Sequence, residues 1–181
     1  NGGLAVGASY DFGSGITGAI GYAGPESGVM TDESFDAYGL NLAYTADSYG
    51  LSLTYGVLET SATEEDTFTA LNAYYTPEGF PSISVGYENG EDGSVTTGED
   101  GLKSYFVGLT WDEFGPGSAG VAFGTKTPTA EGTDEQYMYE AYYSYPINDG
   151  MTVTPLVYVK ENSDKTQEDE TGLMVKTSFS F

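Results

Sequence analysis

The chain contains no cysteine, no histidine and no arginine, and only five lysines among 181 residues. Without Cys and His there is no thiol nucleophile, no imidazole base and no ordinary zinc site. Twenty-eight acidic residues leave a net charge of −23, which excludes nucleic acid as a partner because almost nothing is present to neutralise phosphates. No run approaches the ~18 consecutive apolar residues of a membrane helix. What the chain has in abundance is glycine (26) and tyrosine (16), with 9 Phe and a single Trp. That composition points to an all-β chain.

The apolar residues recur with a period of two. In Tyr38-Gly39-Leu40-Asn41-Leu42-Ala43-Tyr44 the large side chains occupy alternate positions, with Gly, Asn and Ala between them. A strand sends the two sets to opposite faces, whereas a helix would scatter them. The alternation predicts eleven strands, near 3–12, 15–23, 36–46, 49–58, 67–76, 82–88, 103–112, 118–126, 136–146, 151–160 and 172–181. Short turns such as Gly13-Ser14-Gly15 alternate with long acidic loops at 24–35, 59–66, 89–102, 127–135 and 161–171, so one end of the sheet carries tight turns and the other long loops. Outer-membrane barrels have this asymmetry.

Aromatics fall into two bands on the strand face that carries the large side chains. Tyr10, Tyr44, Tyr75, Trp111, Tyr145 and Phe179 lie near the short turns; Tyr22, Tyr38, Tyr55, Tyr87, Tyr105 and Tyr137 lie near the long loops. Amphipathic rings prefer the headgroup level of a bilayer, so two girdles around an aliphatic belt suit a membrane barrel. The last strand alternates through Leu173, Val175 and Phe179 and stops on Phe181, which looks like the C-terminal signal that the barrel assembly machinery reads. The expected fold class is all-β, an antiparallel transmembrane β-barrel.

By the same parity Lys126, Glu140, Tyr142, Tyr158, Lys160 and Lys176 face away from the lipid, as candidate pore-lining residues. Opposed charges there would set ion preference, and Tyr142 and Tyr158 could stack on sugar rings. Acidic runs such as Glu88-Asn89-Gly90-Glu91-Asp92-Gly93 do not match an EF-hand loop, so no metal site is assigned; no cofactor and no catalytic residue is either. Pro155, inside a strand, is expected to mark a bulge.

Several segments are similar to the Som-type cyanobacterial outer-membrane porins, a group related to the carbohydrate-selective porins. They are Tyr74-Tyr75-Thr76-Pro77-Glu78-Gly79, Tyr105-Phe106-Val107-Gly108-Leu109-Thr110-Trp111-Asp112, Gly124-Thr125-Lys126-Thr127-Pro128 and Tyr145-Pro146-Ile147-Asn148-Asp149-Gly150. The resemblance implies a homotrimeric diffusion pore for small hydrophilic solutes, of about sixteen strands, in the lipid of a Gram-negative outer membrane. It also implies an N-terminal cell-wall-binding domain. Eleven strands is an odd number, whereas bacterial single-chain barrels are even. Residues 1–181 are therefore expected to be the C-terminal portion of one barrel domain, with the remaining strands and the cell-wall-binding domain outside this sequence. Two other readings compete: a soluble acidic β-sandwich that binds a ligand, and a non-conducting barrel enzyme.

Overall fold

The structure, a computed structural model, describes residues 3–25, 35–95 and 101–180. They form twelve strands and, among the described residues, no helix: β1 Gly3–Gly13, β2 Ile16–Pro25, β3 Ala37–Thr45, β4 Tyr49–Glu59, β5 Glu65–Tyr75, β6 Ser82–Glu91, β7 Gly101–Phe114, β8 Gly117–Thr125, β9 Thr129–Ala130, β10 Tyr137–Asn148, β11 Met151–Lys160 and β12 Glu170–Phe179. All belong to one antiparallel sheet in which sequence neighbours pair, in the order β1 through β8, then β10, β11 and β12. Eleven of the twelve coincide with the strands expected from the alternation. The exception is β9, a two-residue strand inside what the sequence presents as a loop; it pairs with β7, and Glu131 N donates to Gly101 O at 2.7 Å.

The chain divides into two compact units. One comprises residues 1–73, 86–103 and 130–133; the other comprises 74–85, 104–129 and 134–181.

In the first unit the registers of β1 to β4 line up residues of like kind. Val6, Tyr22, Tyr38 and Val57 form one cross-strand row; Ala8, Ile20, Leu40 and Tyr55 form the next. On the opposite face the rows are Gly7-Gly21-Gly39-Gly56 and Ser9-Ala19-Asn41-Thr54. One face is thus aliphatic and aromatic, the other built of the smallest side chains. The β1–β2 connection turns through three successive left-handed residues, Gly13, Ser14 and Gly15, at φ 82°, 54° and 81°. Gly15 is confined there: a Cβ would run into the Thr45 carbonyl, and Gly15 O accepts from Thr45 N at 2.8 Å.

The second unit repeats the pattern. Leu109, Val121, Ala141, Val157 and Leu173 share the apolar face across β7, β8, β10, β11 and β12. Pro155 causes no bulge. The register runs unchanged from Tyr142↔Leu156 to Tyr145↔Val153, and Pro155 stays opposite Val175. Ser144 Oγ and Thr154 Oγ1, 2.9 Å apart, bridge β10 and β11 beside it with a side-chain hydrogen bond. The irregularity lies further on, between Pro146 and Asn148.

No hydrophobic side chain among the described residues is buried. Leu40, Leu42, Leu51 and Leu53 are all about half exposed, on a face with no second layer of the described chain against it. A sheet with one largely apolar, uncovered face is not the layered arrangement of a water-soluble β domain.

Candidate functional site

The candidate site is the face opposite the apolar one, best furnished in the second unit. Its cross-strand rows follow from the registers. Nearest the long loops is Phe106-Gly124-Met138-Lys160-Glu170, then Gly108-Ala122-Glu140-Tyr158-Gly172, then Thr110-Gly120-Tyr142-Leu156-Met174. Below these come Ser118-Ser144, with Thr154-Lys176 continuing the level, and Thr152-Ser178 nearest the short turns. Glu140, Tyr142, Tyr158, Lys160 and Lys176 therefore share one face. Lys126 follows the last residue of β8 at the loop end.

The charged residues differ in what they touch. Lys160 Nζ lies 3.7 Å from Glu170 Oε1 and 4.6 Å from the centroid of the Tyr158 ring, and Tyr158 Oη donates to the same carboxylate oxygen at 3.1 Å. Lys126 Nζ donates to the Glu161 carbonyl at 3.3 Å and to Gln136 Oε1 at 3.5 Å. Lys165, on the long loop after β11, sits 3.3 Å from the Glu161 carboxylate. Lys176 and Glu140 make no ion pair among the described residues.

The two tyrosines of this face do not project freely. Tyr142 stands opposite Gly120 and Tyr158 opposite Gly172, and a Cβ on either glycine would collide with the facing ring. Each ring lies across its glycine, a pairing that shields the bare backbone and lays the aromatic plane along the wall.

All twelve expected girdle residues lie on described strands. The ring contacts include Tyr22 to Tyr38 at 5.5 Å, Tyr44 to Tyr49 at 5.8 Å and Tyr105 to Tyr137 at 6.4 Å. Phe181 lies outside the described residues, so nothing is placed at the expected assembly signal. The loop-end tyrosines have carboxylate partners that the alternation does not reveal. In the first unit Asp36, wholly buried, accepts from Tyr22 Oη at 2.9 Å and from Tyr38 Oη at 3.3 Å. In the second unit Glu135 accepts from Tyr137 Oη at 2.6 Å and from Tyr105 Oη at 2.9 Å. The signal is present in the sequence: each acid precedes its tyrosine by two residues, which in a strand places both on one face.

Other loop acids shape the loops. Asp92 accepts from Ser94 Oγ at 2.5 Å and from Ser94 N at 3.0 Å. Asp164 accepts from Thr166 Oγ1 at 2.7 Å and from Thr166 N at 3.0 Å. These hydrogen bonds favour the ionised form and hold both carboxyls below the ordinary aspartate range.

The backbone resembles solved porins. A variant of the Rhodopseudomonas blastica porin superimposes with a TM-score of 0.67 at 17% identity, over 98% of this chain and 55% of that one. A triple variant of the same porin gives 0.66 at 18%. A structure described as asymmetric conductivity of engineered proteins also gives 0.66 at 18%, with the same coverage. The chain spans just over half the length of the porins it matches. No family profile matches the chain, and no curated protein matches it by sequence. The likeness establishes a porin-like fold.

Proposed function

We propose that this chain is part of an outer-membrane porin that lets ions and small hydrophilic solutes diffuse passively. One observation carries the reading: an apolar face of Leu, Val, Ile and Tyr is left open along the sheet, while the reverse face is small and polar in the first unit and, in the second, sets Lys, Glu, Ser and Thr among Tyr, Met, Leu and Phe. Apolar surface of that extent is stable only when something apolar covers it. In a bilayer the covering is lipid, and between β1 and β12 the backbone is satisfied by the strand-to-strand ladders, the outer edges of those two strands being unpaired among the described residues. The reverse face then meets water and forms the wall of a pore.

Lys126, Glu140, Tyr142, Tyr158, Lys160 and Lys176 are, on this reading, pore-lining residues. The tyrosine bands sit at the two membrane surfaces, and Asp36 and Glu135 hold the loop-end band in place. The resemblance to the Som-type group supports an outer membrane of cyanobacterial type and a homotrimer. The soluble sandwich is disfavoured by the uncovered apolar face. The barrel enzyme is disfavoured by the lack of His and Cys, and the reading is of a channel without catalytic activity.

The test is single-channel recording of the full-length protein in a planar bilayer, with a salt gradient. Stepwise, long-lived open currents are the expected result. A correctly inserted barrel that passes no current would overturn the porin reading.

A further inference from the structure

Among the lysines of the polar face in the second unit, Lys176 stands apart. Lys160 is matched by Glu170, and Lys126 is occupied by a carbonyl and an amide oxygen. Lys176 makes no ion pair among the described residues of a chain with a net charge of −23. It faces Thr154 directly across the β11–β12 ladder. Side chains so opposed have Cβ atoms about 5 Å apart, and diagonal neighbours lie within about 8 Å, inside the reach of a lysine. Its row and the row nearer the short turns carry hydroxyls, namely Thr154, Ser144 bonded to Thr154 at 2.9 Å, Thr152 and Ser178, while Leu156 and Met174 stand in the row on its other side.

The pair Ser144–Thr154 contains two hydroxyl hydrogens, and its mutual bond uses one of them. The other remains to donate. A full positive charge beside free hydroxyl donors is the chemistry that receives a tetrahedral oxyanion. Among the described residues, the carboxylates that the registers place on this face are distant from Lys176. Glu140 is two strands and four residues away, roughly 16 Å, beyond a Debye length of about 8 Å at physiological salt. The row Tyr142-Leu156-Met174 lies between them and offers no charge.

We propose that Lys176, with Thr154 and Ser144, forms a subsite for an inorganic oxyanion of the phosphate class on the pore wall. The proposal rests on the porin reading and adds a selected solute to it. Loss of a charge-assisted hydrogen bond converts to a roughly tenfold weaker site.

Two measurements on the full-length protein test it. In planar bilayers carrying chloride, inorganic phosphate should reduce the open-channel current saturably. Lys176→Gln should raise the half-blocking concentration roughly tenfold, and Lys176→Arg should restore it. Thr154→Val keeps the charge and removes a hydroxyl, so it should also raise the half-blocking phosphate concentration. Independently of conduction, the detergent-solubilised protein should broaden the phosphorus resonance of inorganic phosphate, and Lys176→Gln should abolish the broadening. Normal channels without block or broadening overturn the subsite and leave the pore intact. Lys176-dependent broadening without channels keeps the subsite and overturns the pore. Block that Lys176→Gln leaves unchanged places the anion elsewhere and overturns the proposal.

Discussion

Tyr158 on β11 lies across Gly172 on β12, its register partner, so closely that a Cβ on the glycine would collide with the ring. The same ring carries the Lys160 ammonium 4.6 Å from its centroid and donates its hydroxyl to Glu170. One missing side chain therefore positions an aromatic ring, a cation and an anion.

Gly172→Ala should force the ring off the wall and loosen the Lys160–Glu170 contact. Overpacking of this kind costs about 1–3 kcal/mol. Urea unfolding of the full-length protein in lipid vesicles measures it, and Gly21→Ala, where a Cβ meets no atom within 4 Å, is the control expected to be close to neutral.

Leu53 lies on the apolar face and Ser52, the preceding residue, on the polar one, opposite Ala43. If lipid covers the apolar face, Leu53→Lys costs about 2–4 kcal/mol near the bilayer midplane. Ser52→Lys places the same charge in water and should stay within about 0.5 kcal/mol. Equal costs at the two positions in vesicle folding titrations would contradict the membrane reading.

Asp36 is buried and accepts hydrogen bonds from Tyr22 and Tyr38. Asp36→Ala removes the acceptor that the Tyr22 and Tyr38 hydroxyls share, at a cost of about 1–3 kcal/mol. Adding Tyr22→Phe and Tyr38→Phe removes those hydroxyls, so the triple variant should recover part of the loss. A triple variant weaker than the single one would refute the clamp.

The carboxyls of Asp92 and Asp164 are held below the ordinary aspartate range by hydrogen bonds from Ser94 and Thr166. A pKa depressed in the folded state contributes stability that is complete above the unfolded value and is lost as pH falls through the folded one. The two turns should therefore stay ordered at neutral pH and loosen only below about 4. Carbon-detected NMR titration of the side-chain carboxyls follows this, and Thr166→Val should move the Asp164 midpoint upward.

Strand positions and faces were legible because a period of two is a local property of the chain. The alternation in Tyr38 to Tyr44 foretells the exposed and half-covered positions of β3. β9 was not legible, since Thr129 and Ala130 are too short a run to show any period and pair only because β7 lies beside them. The partners of the polar face were equally hidden. Which glycine Tyr142 covers, and which acid neutralises Lys160, depend on register, and register couples residues far apart in sequence. Lys126, Lys160 and Lys176 look alike as a list of lysines; only their neighbours distinguish a spent charge from a free one.

The row Gly7-Gly21-Gly39-Gly56 has a consequence for how such a protein changes over time. A Cβ on Gly21 or Gly39 meets nothing within 4 Å, and neither residue has a left-handed backbone that would resist substitution. Replacing glycine inside a strand lowers the entropy of the unfolded chain and improves the match to extended backbone. An alanine can therefore enter at Gly21 or Gly39 with little penalty to folding. On the porin reading proposed above, each added side chain would narrow the passage, so its width can drift, or be engineered, almost independently of the scaffold that carries it.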